Sequence, residues 1–259
     1  MLIATWNING IRARLPVVLA WVKDVRPDVL LLQELKCADE AFPALEFADL
    51  GYNVATHGQK GFNGVAILSK TPPEDIVRGL PERDDDQARY IEAVIPAGGK
   101  VVRVASIYAP NGNPVDSEKF PYKLDWLTDF TAHARALLRL EEPLVLGGDY
   151  NIIPSPADAA DPAKWEGDAL FRPESRAAFR RLLNLGLVDA VRAFNAEDGL
   201  YTFWDYTGGA WRRNDGIRID FALLSPQAAD RLTQARIDKQ VRGWEKPSDH
   251  VPVLVTLDI

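Results

Sequence analysis

Nine short runs of apolar and β-branched residues recur along the chain, and they constrain its fold more than any other feature. The runs span residues 2–6, 28–33, 52–56, 64–69, 90–95, 101–108, 143–148, 217–224 and 251–257. Runs of this length and composition are typical of β-strands. Helical spacing of apolar residues appears only at 15–25, 116–140 and 173–185, the last ending at Gly186. So many strands with so few helices favour two packed sheets with helices outside over a Rossmann-type sheet.

The chain has the length of one large domain. Its 259 residues contain 47% apolar side chains, which is enough to build a sizeable core. No low-complexity linker or shift in composition marks a boundary, so we expect a single domain over residues 1–259. Residues 81–87 and 154–168 are rich in Pro, Asp and Gly or other polar residues, which predicts surface loops.

The cysteine content and hydropathy indicate a cytoplasmic protein. Cys37 is the only cysteine, so no intrachain disulfide can form, and no signal-peptide pattern opens the chain. No apolar run approaches the roughly 20 residues needed to cross a bilayer. A reducing cytoplasm is therefore expected, and a membrane-spanning role is excluded.

The charge balance neither predicts nor excludes a polyanionic ligand. Net charge is −7, whereas binding to phosphate usually leaves a basic footprint. Residues 211–246 carry eight basic and five acidic side chains, a local charge of +3 that leaves −10 for the remainder. Carboxylates that surround a bound cation also count as negative although the cation neutralises them. The balance is thus compatible with DNA.

Polar side chains able to bind a metal lie at the ends of several predicted strands. They are Asn7, Glu34, Asp149, Asn151, Asp220, Asp249 and His250. Residues far apart in sequence can meet at one rim of a sheet, and sites are commonly built on such rims. If these side chains converge, they form a cage of hard oxygen ligands with one imidazole.

Each of these positions also has a purely structural explanation. Residues 147–151 (GGDYN) could form an Asx turn, and Glu34 could be a solvated strand end. Asp220 could pair with Arg218 on the same face of its strand. The acid and imidazole before the last strand could belong to a satisfied turn. His133 lies in an amphipathic helix and is expected at the surface.

Taken together, the strand-end residues suggest hydrolysis of a phosphodiester. Mg²⁺ favours carboxylates, water and substrate oxygens, whereas zinc would call for more His or Cys. An aspartate can orient or deprotonate water, and a histidine held by a second carboxylate can stay positive and bind phosphate. The chain has no G-x-S-x-G elbow and no G-x-x-x-x-G-K-[ST] loop. Three adjacent residues such as 248–250 cannot form a serine-protease triad.

An ordered set of motifs covers essentially the whole chain. The set is WNINGIRAR (6–14), QELK (33–36), GFNGVAILS (61–69), YAPNGN (108–113), GGDYN (147–151), LVDAVR (187–192), YTFWDY (201–206), GIRIDFALLS (216–225) and PSDHVPV (247–253). It resembles the exonuclease III class of apurinic/apyrimidinic endonucleases, in the endonuclease/exonuclease/phosphatase superfamily. The resemblance implies an α/β fold, a four-layer α/β sandwich of two packed mixed β-sheets flanked by helices, with the site at one rim.

The resemblance also implies a Mg²⁺ site, with Mn²⁺ as the alternative ion. The implied metal-site residues are Asn7, Glu34, Asp149, Asn151, Asp249 and His250. Glu34, assisted by Asn7, matches the primary ligand, and Asp249 matches a position close to the metal.

The catalytic residues that the resemblance implies are Tyr108, Asp149, Asn151, Asp220 and His250. Asp149 matches the residue that positions or activates the attacking water, and Asn151 matches its neighbour that orients the phosphate. His250 matches the histidine that binds the phosphate, with Asp220 as the carboxylate that orients it. Tyr108 matches a tyrosine whose hydroxyl approaches the scissile phosphate.

DNA-binding residues are implied in the same way. They are Arg12, Arg14, Phe62, Asn111, Phe203, Trp204, Ile217 and Ile219. The last four match a pocket for an extruded sugar that lacks its base, although some relatives carry tryptophan at the Ile217 position. Phe62 matches a side chain that presses into the DNA groove, Arg12 and Arg14 would meet phosphates, and Asn111 would contact the phosphate or its water. Core packing is the alternative for the pocket residues, and ordinary exposed surface for Arg12, Arg14 and Phe62.

The expected function is therefore a Mg²⁺-dependent DNA repair nuclease. It would cleave 5′ of abasic sites in double-stranded DNA and remove nucleotides or blocking groups from 3′ ends, as a monomer. A phosphatase or phosphodiesterase acting on another substrate is the first alternative, and the Arg-bearing motif 6–14 and the 201–206 motif favour DNA over it. A non-catalytic nucleic-acid-binding regulator is the second, but such a protein would be expected to lose metal or phosphate residues that this chain retains.

Overall fold

The computed structural model describes all 259 residues and contains twelve strands in two six-stranded sheets. The strands are β1 (Leu2–Asn7), β2 (Val29–Gln33), β3 (Asn53–His57), β4 (Val65–Ser69), β5 (Glu74–Arg78), β6 (Tyr90–Ala97), β7 (Lys100–Tyr108), β8 (Leu144–Asp149), β9 (Val188–Asp189), β10 (Asp220–Leu224), β11 (Leu232–Ile237) and β12 (Val253–Leu257). The helices are α1 (Ile11–Val25), α2 (Ala44–Ala48), α3 (Lys119–Leu138), α4 (Pro173–Leu183), α5 (Ala190–Phe194), α6 (Ala210–Arg213) and α7 (Pro226–Ala229). None of these helices combines the length and the apolar character that a membrane span requires.

Both sheets are mixed, and they pack face to face. The first sheet has the order β11-β12-β1-β2-β4-β3, and the second has the order β5-β6-β7-β8-β10-β9. Only β1–β2 and β7–β8 are parallel neighbours. Side chains of α1 cover the outer face of the first sheet, and side chains of α3 and α4 cover the outer face of the second. The predicted four-layer α/β sandwich is confirmed.

The long apolar run in β2 follows from its position between two layers. Leu30 and Leu32 pack towards α1, while Val29 and Leu31 pack into the core between the sheets. Successive residues of a strand point to opposite faces, so a strand that is covered on both sides is apolar throughout.

The two glycines of β8 allow close approach of backbone and side chains. A Cβ atom on Gly147 would lie 2.7 Å from Leu31 Cδ1, and one on Gly148 would lie 2.0 Å from the Ile107 carbonyl oxygen. Only glycine fits at such distances. Gly147 therefore lets the end of β8 approach the first sheet, and Gly148 lets it pack closely against β7, just before Asp149.

Three strands that the sequence does not predict, β5, β9 and β11, all lie at sheet edges. Edge strands carry charged and polar side chains and are often short, so they lack a continuous apolar signal. Several predicted boundaries also move, including the start of α3 from 116 to Lys119 and that of β12 from 251 to Val253. The run 217–224 becomes a strand only from Asp220, and α1 begins at Ile11 instead of residue 15, because the fully buried Ile11 packs in the same core cluster as Trp21.

The segment 154–168 was predicted to be a surface loop, but part of it is buried. It contributes Asp158 to a buried ion-pair network. Arg218 Nε lies 2.7 Å from Asp158 Oδ1, and Arg218 Nη1 lies 2.6 Å from Asp189 Oδ2. Arg192 Nη2 lies 2.7 Å from the same Asp158 oxygen. The Asp158 side chain is only 3% exposed. The network fastens this loop to the residues that lead into β10.

Removing one member of this network should destabilise the protein strongly. We expect Asp158→Ala to lower the free energy of unfolding by about 3–5 kcal/mol, because the buried Arg218 guanidinium loses one of its two carboxylates and Arg192 loses the same partner. Urea unfolding followed by circular dichroism measures the change. Asp161→Ala is the control, since Asp161 forms an exposed pair with Lys164 and its loss should cost about 0–1 kcal/mol. Equal effects of the two substitutions would contradict the assigned role.

Candidate active site at the ends of the central strands

The register of the second sheet aligns three of the predicted catalytic residues. Tyr108, the last residue of β7, is the parallel partner of Asp149, the last residue of β8. Asp220, the first residue of β10, is the antiparallel partner of Asp149. The three residues therefore form one row across the end of the sheet.

The first sheet places its polar residues above the same edge. Asn7 ends β1 beside Gln33, which ends the parallel strand β2. Glu34 follows at once with a φ of 54°, a left-handed conformation that turns the chain out of the sheet. His250 lies three residues before β12, which runs antiparallel to β1, so it returns to the same end.

Three side chains from distant parts of the sequence converge at this edge. Candidate metal-binding atoms of Glu34, Asp149 and His250 all lie within 4.8 Å of one another. Asn7 Nδ2 donates hydrogen bonds to Glu34 Oε1 at 3.0 Å and to Asp149 Oδ2 at 2.9 Å. Of the seven side chains expected to converge, Glu34, Asp149 and His250 meet here, with Asn7 bonded to both carboxylates.

Glu34 is held as an anion. Burial raises its pKa, but hydrogen bonds from Asn7 and Lys36 and the charge of Lys36 outweigh burial and bring the pKa below its ordinary value. Lys36 Nζ lies 2.8 Å from Oε2, and the Tyr108 hydroxyl donates to Oε1 at 2.9 Å. Burial and the negative charges of Glu34 and Asp149 raise the pKa of Tyr108 well above its ordinary value, so its phenol remains a donor.

His250 and Asp220 form a buried imidazole–carboxylate pair. His250 Nδ1 lies 2.9 Å from Asp220 Oδ2, and its Nε2 lies 3.8 Å from Asp149 Oδ2. Burial lowers the pKa of His250, but Asp220 and Asp149 outweigh burial and raise it, so the ring is cationic at neutral pH. Asp220 also accepts a 2.6 Å hydrogen bond from the Thr202 hydroxyl. Asp220 does not pair with Arg218, which instead binds Asp158 and Asp189. The structural Asp220–Arg218 pair that the sequence allowed is therefore excluded.

Asp149 is almost fully buried, with 1% of its surface exposed. Burial raises the pKa of Asp149, the charge of Asp220 adds to the rise, and the opposing charge of His250 limits it. The backbone N–H of Asn151 donates to its Oδ1 at 2.9 Å. A carboxylate whose pKa is raised towards neutrality is a better general base than an ordinary aspartate.

Asn151 and Asn111 extend the hydrogen-bond network from Asp149 to the surface. Asn151 has a φ of 49°, and its Nδ2 donates to the Ala109 carbonyl at 2.9 Å. The exposed Asn111 donates from Nδ2 to Asn151 Oδ1 at 3.2 Å. These contacts fix the Asn151 amide beside Asp149.

Asp249 lies outside the converging group. Its Oδ1 accepts a 3.0 Å hydrogen bond from Asn9 Nδ2, and the neighbouring Ser248 hydroxyl donates to the Asn7 carbonyl at 2.8 Å. Ser248 and Asp249 thus form the satisfied turn that the sequence allowed, while His250 faces the site. The amide nitrogen of Asn7, and not its oxygen, faces the carboxylates.

A cleft of about 250 Å³ adjoins the imidazole. Phe203 and Ile217 line it, and the Phe203 ring centroid lies 4.9 Å from that of His250. Trp204 and Ile219 do not line the cleft. Both are buried, Trp204 against Trp211 and Ile219 in an apolar cluster with Ile217, so the structure corrects their predicted DNA contact to a packing role behind the wall.

The remaining predicted DNA-binding residues lie at or near the surface. Arg12 is exposed on α1, and Phe62 is 56% exposed in the loop before β4. Arg14 is half-buried, and its Nη2 donates to the Tyr206 hydroxyl at 3.0 Å. Arg12 and Phe62 are therefore available for contact with a ligand, while Arg14 also braces the 201–206 motif.

Sequence reasoning missed several residues that support the site. Lys36 pairs with Glu34, and Thr202 donates to Asp220. Lys36 lies two positions after Glu34 within QELK, so its charge was a usable signal. Nothing in the sequence distinguishes the Thr202 hydroxyl from that of any other threonine in a loop.

Several known proteins resemble this chain in sequence and fold over nearly its whole length. Residues 4–250 match the endonuclease/exonuclease/phosphatase family. Exodeoxyribonuclease III of Haemophilus influenzae is 38% identical over 258 residues, which cover 96% of this chain and 97% of the relative. An AP endonuclease from Archaeoglobus fulgidus superimposes with a TM-score of 0.94 at 38% identity. A variant of the 3′ phosphatase NExo from Neisseria, bound to a product DNA hairpin, gives 0.95 at 41% identity. Each superposition covers 100% of both chains. The chain therefore belongs to the endonuclease/exonuclease/phosphatase family.

Proposed function

We propose that this protein is a metal-dependent DNA repair nuclease that hydrolyses the phosphodiester 5′ of abasic sites and removes nucleotides or blocking groups from 3′ ends. The observation that carries the proposal is the convergence of Glu34, Asp149 and His250 within 4.8 Å. An anionic ligand, a buried base and a cationic imidazole lie together, and the imidazole contacts Phe203, which lines the neighbouring cleft. These are the groups that hydrolysis of a phosphodiester requires.

The donor set fits a hard divalent cation. Glu34 supplies an ionised carboxylate held by Asn7, and Asp149 supplies a second carboxyl group beside it. Because the His250 ring is cationic, it has no free lone pair for a metal, and the remaining two carboxylates suit Mg²⁺, with Mn²⁺ as an alternative, better than zinc. When bound, such an ion would neutralise charge on the phosphoryl and leaving oxygens. Asn151, beside Asp149, and Asp249, outside the converging group, are the other residues proposed to lie near the ion.

The protein side chains would divide the remaining tasks. Asp149 would accept a proton from the attacking water, and the amide of Asn151 would orient the phosphate. His250 would donate from Nε2 to a phosphoryl oxygen, while Asp220 keeps its ring charged and correctly turned. The Tyr108 hydroxyl, 2.9 Å from Glu34 Oε1, would approach the same phosphate.

The substrate assignment rests on the cleft and on the named relatives. The cleft beside Phe203 would receive a sugar that lacks its base, which leaves a duplex at lower cost than a paired nucleotide. Arg12 and Phe62 would contact the flanking double-stranded DNA, with Asn111 at the phosphate. The site draws Asn7 and His250 from opposite ends of one chain, which supports a single domain over 1–259 acting as a monomer. The free, buried Cys37 supports a cytoplasmic location.

The function is tested with an end-labelled duplex that carries one abasic analogue. We expect a single cut 5′ of the analogue in Mg²⁺, no cut with chelator, and Mg²⁺-dependent shortening of the 3′ end of an undamaged duplex. Bis(p-nitrophenyl) phosphate serves as a non-DNA substrate in parallel. Hydrolysis of that ester without cleavage of the duplex would assign another substrate class. DNA binding without hydrolysis of either would indicate a regulator.

A further inference from the structure

Lys123, in the first half of α3, is fully buried beside the active-site loops. Its Nζ donates to three backbone carbonyls, those of Asn111 at 3.0 Å, Asn151 at 2.6 Å and Ala169 at 3.3 Å. These carbonyls belong to the loop before α3, to the residues after β8 and to the segment before α4. An ammonium group has three donors, so all of them are used.

The charge on this side chain is not required for packing. All three hydrogen bonds go to neutral carbonyls, and burial lowers the pKa of Lys123 to about 7, against the negative charges of Asp149 and Asp168. Burial of a charged group is unfavourable unless hydrogen bonds or partners offset it. A methionine would fill the same volume without burying a charge, but it would leave the Asn111 and Asn151 carbonyls without a donor. We therefore interpret the ammonium group as a donor that holds these backbone carbonyls in place.

The carbonyls that Lys123 binds belong to residues that orient the proposed general base. The Asn151 N–H donates to Asp149 Oδ1, and the Asn111 amide donates to Asn151 Oδ1. Neither the Asn111 nor the Asn151 carbonyl receives a backbone N–H. The lysine stem is tightly packed, because a Cβ on Gly112 would lie 2.7 Å from its Cδ. Nζ thus connects the loop before α3 with the residues after β8 that orient Asp149.

We propose that Lys123 is a positioning residue for the hydrolysis: Nζ fixes the backbone at Asn111 and Asn151, and through Asn151 it sets the orientation of Asp149. Lys123 itself touches neither DNA nor metal. The inference rests on the proposed nuclease function, since it assigns the orientation of that reaction's base.

The test compares Lys123→Met with Leu127→Ala, a control one turn further along α3. Leu127 is fully buried in the core beneath the second sheet, so both substitutions destabilise the same helix. We expect Lys123→Met to lower kcat on the abasic duplex by about 10²-fold per folded molecule, with KM changed by less than about threefold, because small displacements of catalytic groups are costly. Leu127→Ala should keep kcat near the wild-type value. Circular dichroism gives the folded fraction of each variant.

A double-mutant cycle separates positioning from general destabilisation. If Lys123 acts through Asn151, then Lys123→Met should lower kcat by less than about threefold in an Asn151→Ala background. A full, multiplicative loss in that background would overturn the proposal. Lys123→Gln, which keeps a shorter donor, replaces the methionine variant under the same criteria if that variant does not fold.

Failure of the inference can be distinguished from failure of the proposed function. If wild-type protein cuts the duplex and Lys123→Met cuts equally fast per folded molecule, the inference is refuted and the function stands. If wild-type protein does not cut in Mg²⁺, the proposed function is refuted and the inference falls with it.

Discussion

Replacing Asp149 with asparagine should lower the rate of cleavage at an abasic site by about 10³-fold or more. Asparagine keeps the shape of the side chain but cannot accept a proton from water. The effect should be large because Asp149 lies at the centre of the row with Tyr108 and Asp220, and burial raises its pKa above that of an ordinary aspartate. Single-turnover cleavage with excess enzyme measures the rate, and fluorescence anisotropy with an abasic duplex measures binding.

Binding of DNA by Asp149→Asn should stay within about threefold of wild type, because the loss belongs to the chemical step. Asp116→Asn is the matched control, since Asp116 is an exposed carboxylate in the loop before α3. Its cleavage rate should be unchanged. Cleavage by Asp149→Asn within tenfold of wild type would remove Asp149 from the role of general base.

Replacing His250 with glutamine should lower the cleavage rate by about 10²–10³-fold, because the cationic donor to the phosphate is lost. The substitution also removes the cationic partner of the buried Asp220, which keeps the Thr202 hydroxyl as a donor, so it lowers stability as well as activity. The same single-turnover assay applies, with rates referred to folded protein. A preserved rate would exclude His250 from the transition state.

His133→Gln is a close control for the His250 substitution. His133 Nε2 lies 2.7 Å from Glu92 Oε2, and Glu92 is also a buried carboxylate. Both substitutions therefore remove an imidazole from a buried carboxylate that keeps another side-chain partner, Arg103 for Glu92 and Thr202 for Asp220, but only one of the histidines belongs to the active site. We expect similar losses in the free energy of unfolding and a loss of cleavage for His250→Gln alone. Equal loss of cleavage in the two variants would attribute the effect to stability.

The layers and the rim of the fold could be predicted because they depend on patterns along single strands. A run such as 28–33 is apolar on both faces only when it is covered on both sides, and its polar end then marks an edge of the sheet. The edge strands β5 and β11 could not be recognised, because their charged faces carry no such pattern.

The supporting contacts of the site could not be predicted because they depend on tertiary structure. His133 was predicted at the surface from its helix, but Glu92 on β6 lies across from it and buries it in part. Phe203 and Trp204 are adjacent, and successive residues of extended chain point in opposite directions. One of the two side chains must face the cleft and the other the interior. The packing of Trp204 against Trp211, which the sequence does not reveal, decides that Phe203 faces the cleft. The role of Lys123 could not be predicted for the same reason, since its three acceptor carbonyls come from three segments that only the tertiary structure brings together.

The most direct test of the proposed metal and phosphate site is a crystal structure with Mn²⁺ and cleaved abasic DNA, in which anomalous scattering locates the metal. If Glu34 and Asp149 hold the metal, an anomalous peak should lie roughly 2.0–2.3 Å from the Glu34 carboxylate, beside Asp149. A phosphate should lie within hydrogen-bond distance of His250 Nε2. A metal peak remote from Glu34, or a DNA phosphate bound away from His250, would contradict the proposed site.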